Sequence, residues 1–164
     1  MVVREARVDY YKAWLIVQNA ARIVVKASER TFAKTGISTG EFHVLRTLVV
    51  SGPCPMVDLA KEQFISPPAL TSIVDNLERQ GLVERVRSEE DRRIINIKLT
   101  GKGEKVFAQA HPLYKRFFEK VMRSLTKQEI SVVLTAFDKL SKSAQMYPVE
   151  NNIAVARGRN IRKL

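Results

Sequence analysis

The pair of prolines at Pro67-Pro68 constrains this chain more than any other feature. It sits in the stretch MVDLAKEQFISPPALTSIVDNLERQGLVERVRSEEDRRIINIKLT, from Met56 to Thr100. A proline costs little in a first helical turn, where backbone N–H groups have no intrahelical partner, and it pushes the residue before it into extended geometry. The spacing therefore predicts a helix that opens after Ser66, itself a good N-cap residue. Leu70, Ile73, Val74 and Leu77 recur at helical spacing and supply one apolar face. The other face carries Pro68, Ala69, Ser72, Asn76 and Arg79, with no large hydrophobe, so it can lie against another surface at backbone distance. Gly81 stops this helix; Leu82 to Val86 then reads as a strand, and Ile95, Ile97 and Leu99 alternate with Asn96 and Lys98 in a second. Arg87 to Arg93, between the strands, contains no apolar residue. Helix, turn, thin-faced helix and a two-stranded ribbon with arginines at its tip describe a winged helix. Its second helix suits the major groove of DNA and its loop the minor groove. On periodicity alone, an ordinary α+β core fragment with a solvated hairpin has the same outline.

Residue identities narrow the choice. Leu59-Ala60, Leu70-Thr71, Val74-Asp75, Leu77-Glu78, Gly81-Leu82-Val83, Arg85, Asp91-Arg92-Arg93 and Leu99-Thr100 with Gly103 resemble the DNA-binding core of the MarR (multiple antibiotic resistance regulator) family. An Asp-x-Arg wing followed by a Leu-Thr-x-x-Gly helix start is a combined pattern, which makes the likeness specific. The likeness spans about residues 8–146 and stops before Pro148. It implies a mainly α fold with a small β-wing, a winged helix-turn-helix flanked by long dimerisation helices. The implied organisation is a DNA-binding module at 37–100, a helical dimerisation region formed by 1–36 and 101–147, and a basic C-terminal extension at 148–164.

The resemblance also implies roles. Ser66, Thr71 and Arg85 would lie near phosphates, Pro68, Ala69, Ser72 and Asn76 would face base edges, and the wing of Asp91, Arg92 and Arg93 would send Arg93 into the minor groove. Pro68 and Ala69 have no side-chain donors, so readout would rest partly on methyl contacts and partly on DNA shape. Asp91, two residues before Arg93, is placed to hold that guanidinium by a charge-assisted hydrogen bond. Relatives that release DNA when small, often aromatic and anionic compounds bind between the dimer helices and the winged module suggest Trp14, Arg22, His43 and Arg46 as ligand-binding candidates. Each has a plainer reading: Trp14 as dimer core, Arg22 as a snorkelling or paired side chain, His43 as a surface residue.

Composition agrees with a nucleic-acid partner and excludes other classes. The formal charge is +11, and the pI near 10.0 points the same way, towards a polyanion. Glu84, Glu89, Glu90 and Asp91 around the wing oppose indiscriminate phosphate binding, which counts against the alternative of a general DNA-packaging protein with little sequence preference. No apolar run approaches the length of a membrane span and the first residues lack a signal-peptide core, so a cytoplasmic protein without membrane attachment is expected. Cys54 is the single cysteine, flanked by Pro53 and Pro55 without a cationic neighbour in sequence, and reads as a packed or idle thiol rather than a redox sensor. His43 and His111 are the only histidines, which supplies a metal site poorly. Neither has a nucleophile or carboxylate at a catalytic spacing and no phosphate-cradling glycine loop exists, so neither an enzyme nor a cofactor is expected.

Long amphipathic helices flank the module. Residues 8–34 place Tyr10, Trp14, Val17, Ala21, Val24 and Ala27 on one wide face, with Gly36 ending the helix. Ser38-Thr39-Gly40-Glu41 is a capping box, so the next helix starts at Thr39. After the wing, Thr100 caps a helix striped with Val106, Ala110, Leu113, Phe117, Val121 and Leu125, with Pro112 inside it as a kink site. Thr126 and Glu129 form a second capping box before Ile130, Val133, Leu134, Phe137 and Leu140. A winged helix closes its own core with fewer residues than this. The surplus faces therefore suit a second copy of the chain, or a larger helical domain folded on itself. The resemblance favours the homodimer, and with it a regulator that reads a pseudo-palindromic operator in double-stranded DNA and acts as a repressor released by a small effector, an anionic aromatic among the candidates.

Overall fold

The computed structural model describes residues 8–88 and 91–146; the expectations placed on Glu89, Glu90 and the basic tail 148–164 lie outside the described residues. The elements run α1 (Tyr10–Phe32), α2 (Thr39–Ser51), β1 (Cys54–Pro55), α3 (Met56–Glu62), α4 (Pro67–Arg79), β2 (Val83–Arg87), β3 (Ile95–Leu99), α5 (Gly101–Met122) and α6 (Lys127–Gln145). Two compact units divide the chain after Lys120.

Local chemistry sets most of the boundaries in the first unit. Asp9 caps α1, its side chain accepting the Lys12 N–H at 2.9 Å. That helix ends at Phe32, and Gly36 (φ 74°) lies beyond it in the turn towards α2 rather than at its last residue. Ser38 and Glu41 form the expected capping box. Ser66 is the N-cap of α4 in extended geometry (φ −68°, ψ 149°), yet its hydroxyl accepts no cap hydrogen bond. Prolines fill the first two helical positions and have no N–H to offer.

The exits of α3 and α4 share one geometry. Gly81 (φ 70°) donates its N–H to Glu78 O at 2.8 Å and Leu82 to Leu77 O at 2.9 Å, a Schellman motif that closes α4. Phe64 repeats it at the end of α3: its N–H reaches Lys61 O at 3.1 Å and that of Ile65 reaches Ala60 O at 3.2 Å. Here the left-handed position (φ 52°) holds a phenylalanine that is 92% exposed.

The sheet has three strands in the order β1-β3-β2, both pairings antiparallel. The expected ribbon is present, from Val83 opposite Leu99 to Arg87 opposite Ile95. A third strand of only two residues joins it, Cys54 opposite Ile97, where the sequence suggested no more than a proline-bounded turn. The core gathers Phe42, Leu45, Leu59, Leu70, Val74, Leu77, Leu82 and Ile97, all at most 2% exposed. Phe32 of α1 joins them and, with Phe42 and Tyr114, forms an aromatic layer: Phe42 lies 5.1 Å from Phe32 and 4.5 Å from Tyr114 between ring centroids.

Thr100 caps α5, its hydroxyl accepting the Gly103 N–H at 3.0 Å and donating to Gly81 O at 2.8 Å. The helix runs unbroken through Pro112 to Met122, so Leu125, expected on its stripe, falls in the turn before α6. In the second unit α6 begins at its own capping box, Thr126 with Glu129, and contains no buried residue.

Two glycine-dependent positions give stability expectations. A methyl built on Gly103 would sit 2.1 Å from the Leu82 carbonyl oxygen and 2.8 Å from Leu99 Cδ1, so the first turn of α5 can lie on the strand only through glycine. Gly103→Ala is expected to destabilise the chain by about 1–3 kcal/mol, read as a lowered urea midpoint. Phe64→Gly should do the opposite. Relief of a left-handed L-residue outweighs the added chain entropy and leaves a gain of about 0.5–1 kcal/mol in the same titration.

Candidate nucleic-acid interface

Helix α4 buries three of its residues fully and displays most of its first two turns. Leu70, Val74 and Leu77 are fully buried, while Ser66, Pro68, Ala69, Thr71 and Ser72 are exposed together over its first two turns. This is the thin face expected from the sequence, and Ser66 Oγ is not consumed by capping. Thr71 is occupied differently: its hydroxyl donates back to Pro67 O at 2.9 Å, which aims the proton into the helix and leaves lone pairs outward.

Asn76 and Arg85, two more of the sequence-chosen residues, are engaged within the protein. Asn76 donates through Nδ2 to Glu41 Oε1 at 2.5 Å, and its Oδ1 accepts from Arg79 Nη1 at 3.0 Å. Arg85 lies on β2, where its guanidinium pairs with Asp75 at 2.6 Å and with Glu78, both on α4. The structure thus gives Arg85 an internal function that the sequence reading lacked, as a clamp between the ribbon and the helix. Asp75, Glu78, Gln80 and Glu41 complete the braces. Their signal was the run of acidic and amide residues at 75, 76, 78 and 80, which has no reason to avoid hydrophobes unless that flank meets charge.

At the wing the ribbon closes with the Ile94 N–H on Asp91 O at 2.8 Å and the Ser88 N–H on Ile94 O at 2.9 Å. Asp91 takes three hydrogen bonds from Arg93: the backbone N–H at 2.9 Å, Nε at 3.1 Å and Nη2 at 3.1 Å. These contacts, the side-chain ones first, hold the Asp91 carboxyl below its ordinary range. The Arg93 side chain is nonetheless 91% exposed, so it is oriented without being buried. Arg92 beside it is also exposed.

The four ligand candidates do not form one group in the described chain. His43 and Arg46 share α2, and His43 packs edge-on to Phe42 (5.7 Å) and to Tyr114 (5.6 Å), a residue the sequence reading missed. Trp14 and Arg22 are exposed on α1. At 1.5 Å per residue, Trp14 stands about 27 Å along the helix axis from Phe32, the part of α1 that reaches the aromatic layer. Cys54 is half-buried, and burial, with Asp58 and Glu62 nearby, pushes its thiol up, away from the reactive thiolate. Among the described residues no three of His, Cys, Asp and Glu gather as a metal site, and no helix is long and apolar enough to cross a membrane.

Burial and then the Arg46 charge depress His43 below its ordinary 6.5. The unfolded chain consequently binds this proton more readily than the folded one, so the contribution to stability is present above about pH 6.5 and is lost as pH falls below it. His43→Gln is expected to flatten the fall in urea midpoint between about pH 7.5 and about pH 5.5. An equal fall in parent and variant would assign the loss to other groups.

Three comparisons place this geometry among known proteins. The family model described as MarR family matches residues 37–95. The HTH-type transcriptional regulator YpoP of Bacillus subtilis (strain 168) is 34% identical over 106 residues, covering 65% of this chain and 75% of that one. BilQ, an HTH-type transcriptional regulator of Clostridium symbiosum (strain WAL-14163), is 32% identical over 114 residues, covering 70% and 79%. Among solved structures, the organohalide-sensing regulator RdhR-CbdbA1625, in its 2,4-dichlorophenol-bound form, superposes with a TM-score of 0.75 at 21% identity, over 87% of this chain and 89% of that one. Wing, braced recognition helix and relatives agree: the chain belongs to the MarR family of winged helix-turn-helix, DNA-binding transcription regulators.

Proposed function

We propose that this regulator works as a homodimeric repressor that reads a pseudo-palindromic operator and is released by a small aromatic ligand. The observation that carries DNA contact to particular residues is the joint exposure of the first turns of α4 and of Arg93. In this reading Ser66 meets phosphate, Pro68, Ala69 and Ser72 lie along base edges, and Arg93, flanked by Arg92, enters the minor groove, where A·T-rich sequence concentrates negative potential. Arg85 and Thr71 support that surface more than they touch DNA, because both already have partners inside the protein. A general packaging role is not favoured, and nothing in this reading calls for catalysis or a cofactor.

Dimerisation rests on apolar surface left uncovered. Along α1, Tyr10, Tyr11, Trp14, Ile16 and Ile23 are exposed, and along α6 Val132, Leu134, Phe137 and Leu140 are too. A second copy is the simplest cover for helices that bury so little of themselves, with 1–36 and 101–147 as the dimerisation region and 37–100 as the DNA-binding module. Two recognition helices on one side of a duplex then require half-sites about 10 base pairs apart. The structural relative RdhR-CbdbA1625 senses organohalides and holds a chlorinated phenol in its bound form. Here a comparable compound would need the partner copy to bring Trp14 and Arg22 towards His43 and Arg46. The cell compartment that follows is the cytoplasm, where operator and effector meet.

Selection of binding duplexes from a random-sequence library tests the reading first, and light scattering at micromolar concentration tests the dimer; a monomer that selects no sequence would overturn it. Arg93→Ala is expected to weaken the selected duplex about ten- to hundredfold in a filter or anisotropy assay. Asp91→Ala removes a negative charge, yet it should weaken the selected duplex because Arg93 loses its aim, while affinity for mixed-sequence DNA holds or rises. Unchanged affinity for the selected duplex would reduce the pair to a solvated surface contact.

A further inference from the structure

Glu41 is a carboxylate 4% exposed, at the start of α2 and off the outward surface of the recognition helix. Its two oxygens divide their work. Oε2 accepts the Ser38 N–H at 2.6 Å and completes the capping box. Oε1 reaches out of α2 to α4, accepting Asn76 Nδ2 at 2.5 Å and Gln80 Nε2 at 3.1 Å. Capping alone needs one oxygen, and the second is spent on the helix that meets DNA.

Oε1 of Glu41 accepts from two amides at once, and the atom that Asn76 turns towards it is the donor nitrogen Nδ2. The carbonyl Oδ1 is thereby turned away, and there it accepts from Arg79 Nη1 at 3.0 Å. Arg79 is exposed in the last turn of α4, and this bond uses one of its five donors. Close packing keeps the relay in register: a methyl built on Gly40, next to Glu41, would meet Ile73 Cδ1 of α4 at 3.3 Å.

We infer that Glu41 is a positioning residue for DNA recognition, acting through the amide of Asn76 to present Arg79 as an ordered donor to DNA. The acceptor is an oxygen or nitrogen lone pair on the duplex, either a phosphate or the O6/N7 edge of guanine. Without the buried carboxylate the amide is free to turn over, Arg79 loses its acceptor, and a long cationic side chain must be ordered at the moment of binding. The inference rests on α4 facing DNA, and the parent's selection of a duplex from a random-sequence library is the separate check on that premise.

Glu41→Gln separates the two tasks. Glutamine also serves in a capping box, whereas its amide nitrogen confronts Asn76 with a donor and reverses that side chain. Melting temperature should stay close to the parent's, while affinity for the selected duplex falls about five- to tenfold. Arg79→Ala should lose as much or more, and the double variant should be no weaker than Arg79→Ala alone, because a positioning residue has nothing left to position. Should Glu41→Gln fold poorly, Asn76→Ala cuts the relay at the half-buried link, and the same absence of an additional loss in combination with Arg79→Ala is expected. A loss confined to the selected duplex assigns Arg79 to a base edge; an equal loss on mixed-sequence DNA assigns it to phosphate. Parental affinity for Glu41→Gln, or losses that multiply in the double variant, would overturn the inference and leave Glu41 a helix cap.

Discussion

The recognition helix depends on being held from three sides at once. Its underside is anchored by burial of Leu70, Val74 and Leu77, each removing an apolar side chain from water at a gain of about 1.5–3 kcal/mol. Burial does not fix how a helix is rolled or tilted, since apolar contact is non-directional. The polar flanks supply direction. Arg85 on the ribbon takes Asp75 and Glu78, and Glu41 on α2 takes Asn76 and Gln80. Lys102 of α5 adds a further tie, donating to Gln80 O at 2.7 Å at the negative end of the helix dipole. The recognition helix of a DNA-binding module gains from that directional hold, because the exposed residues of its first two turns, among them Pro68, Ala69 and Ser72, are too short to correct a misplaced axis.

Charge in the wing works differently. The Asp91–Arg93 pair is solvated, so it adds little to folding. Its value lies in limiting the conformations of an arginine that has almost no other contact. One acidic residue therefore has opposite effects on two quantities, lowering attraction to any phosphate and raising the order of the Arg93 side chain that the proposed function sends to DNA. Glu41, buried on α2 at the flank of α4, and Asp91, open at the ribbon tip, each fix a polar partner by accepting its hydrogen bonds. Each spends a negative charge in a chain of formal charge +11, where the attraction to DNA is already ample.

The aromatic layer links the winged module to the rest of its unit. Phe42 from α2 stacks with Tyr114 and Phe107 from α5 and lies tilted against Phe32 from the end of α1, which is tilted against Tyr114 in turn. His43 stands at its edge, edge-on to Phe42 and to Tyr114. Apart from Phe32, α1 buries little of itself, with Ser28 its one other buried residue. That contrast along a single helix, packed at one end and bare over most of its length, is what supports the second copy proposed above.

Much of the architecture was legible in the residues alone. Capping boxes at Ser38 and Thr126, the glycine after α4 and the alternation in β3 are local signals, carried by residues within a few positions of one another, and the helices and ribbon appeared where they predicted. Side chains reaching across elements were not legible. The family resemblance implied a phosphate contact for Arg85 and a base-facing place for Asn76, and neither implication carried any sign of the internal partners that both side chains also have. Their partners Asp75, Glu78 and Glu41 lie 7 to 35 positions away and meet them only after the chain has folded. The two-residue strand β1 was hidden for a similar reason: a cysteine and a proline have no strand pattern of their own and pair only because β3 is already beside them. Sequence alone determined which segments fold and which faces are apolar, since backbone propensity and burial are set by neighbours along the chain. Tertiary structure decided which polar groups are spent on holding the recognition helix and which remain for DNA, since a hydrogen bond belongs to whichever partner the fold brings within reach.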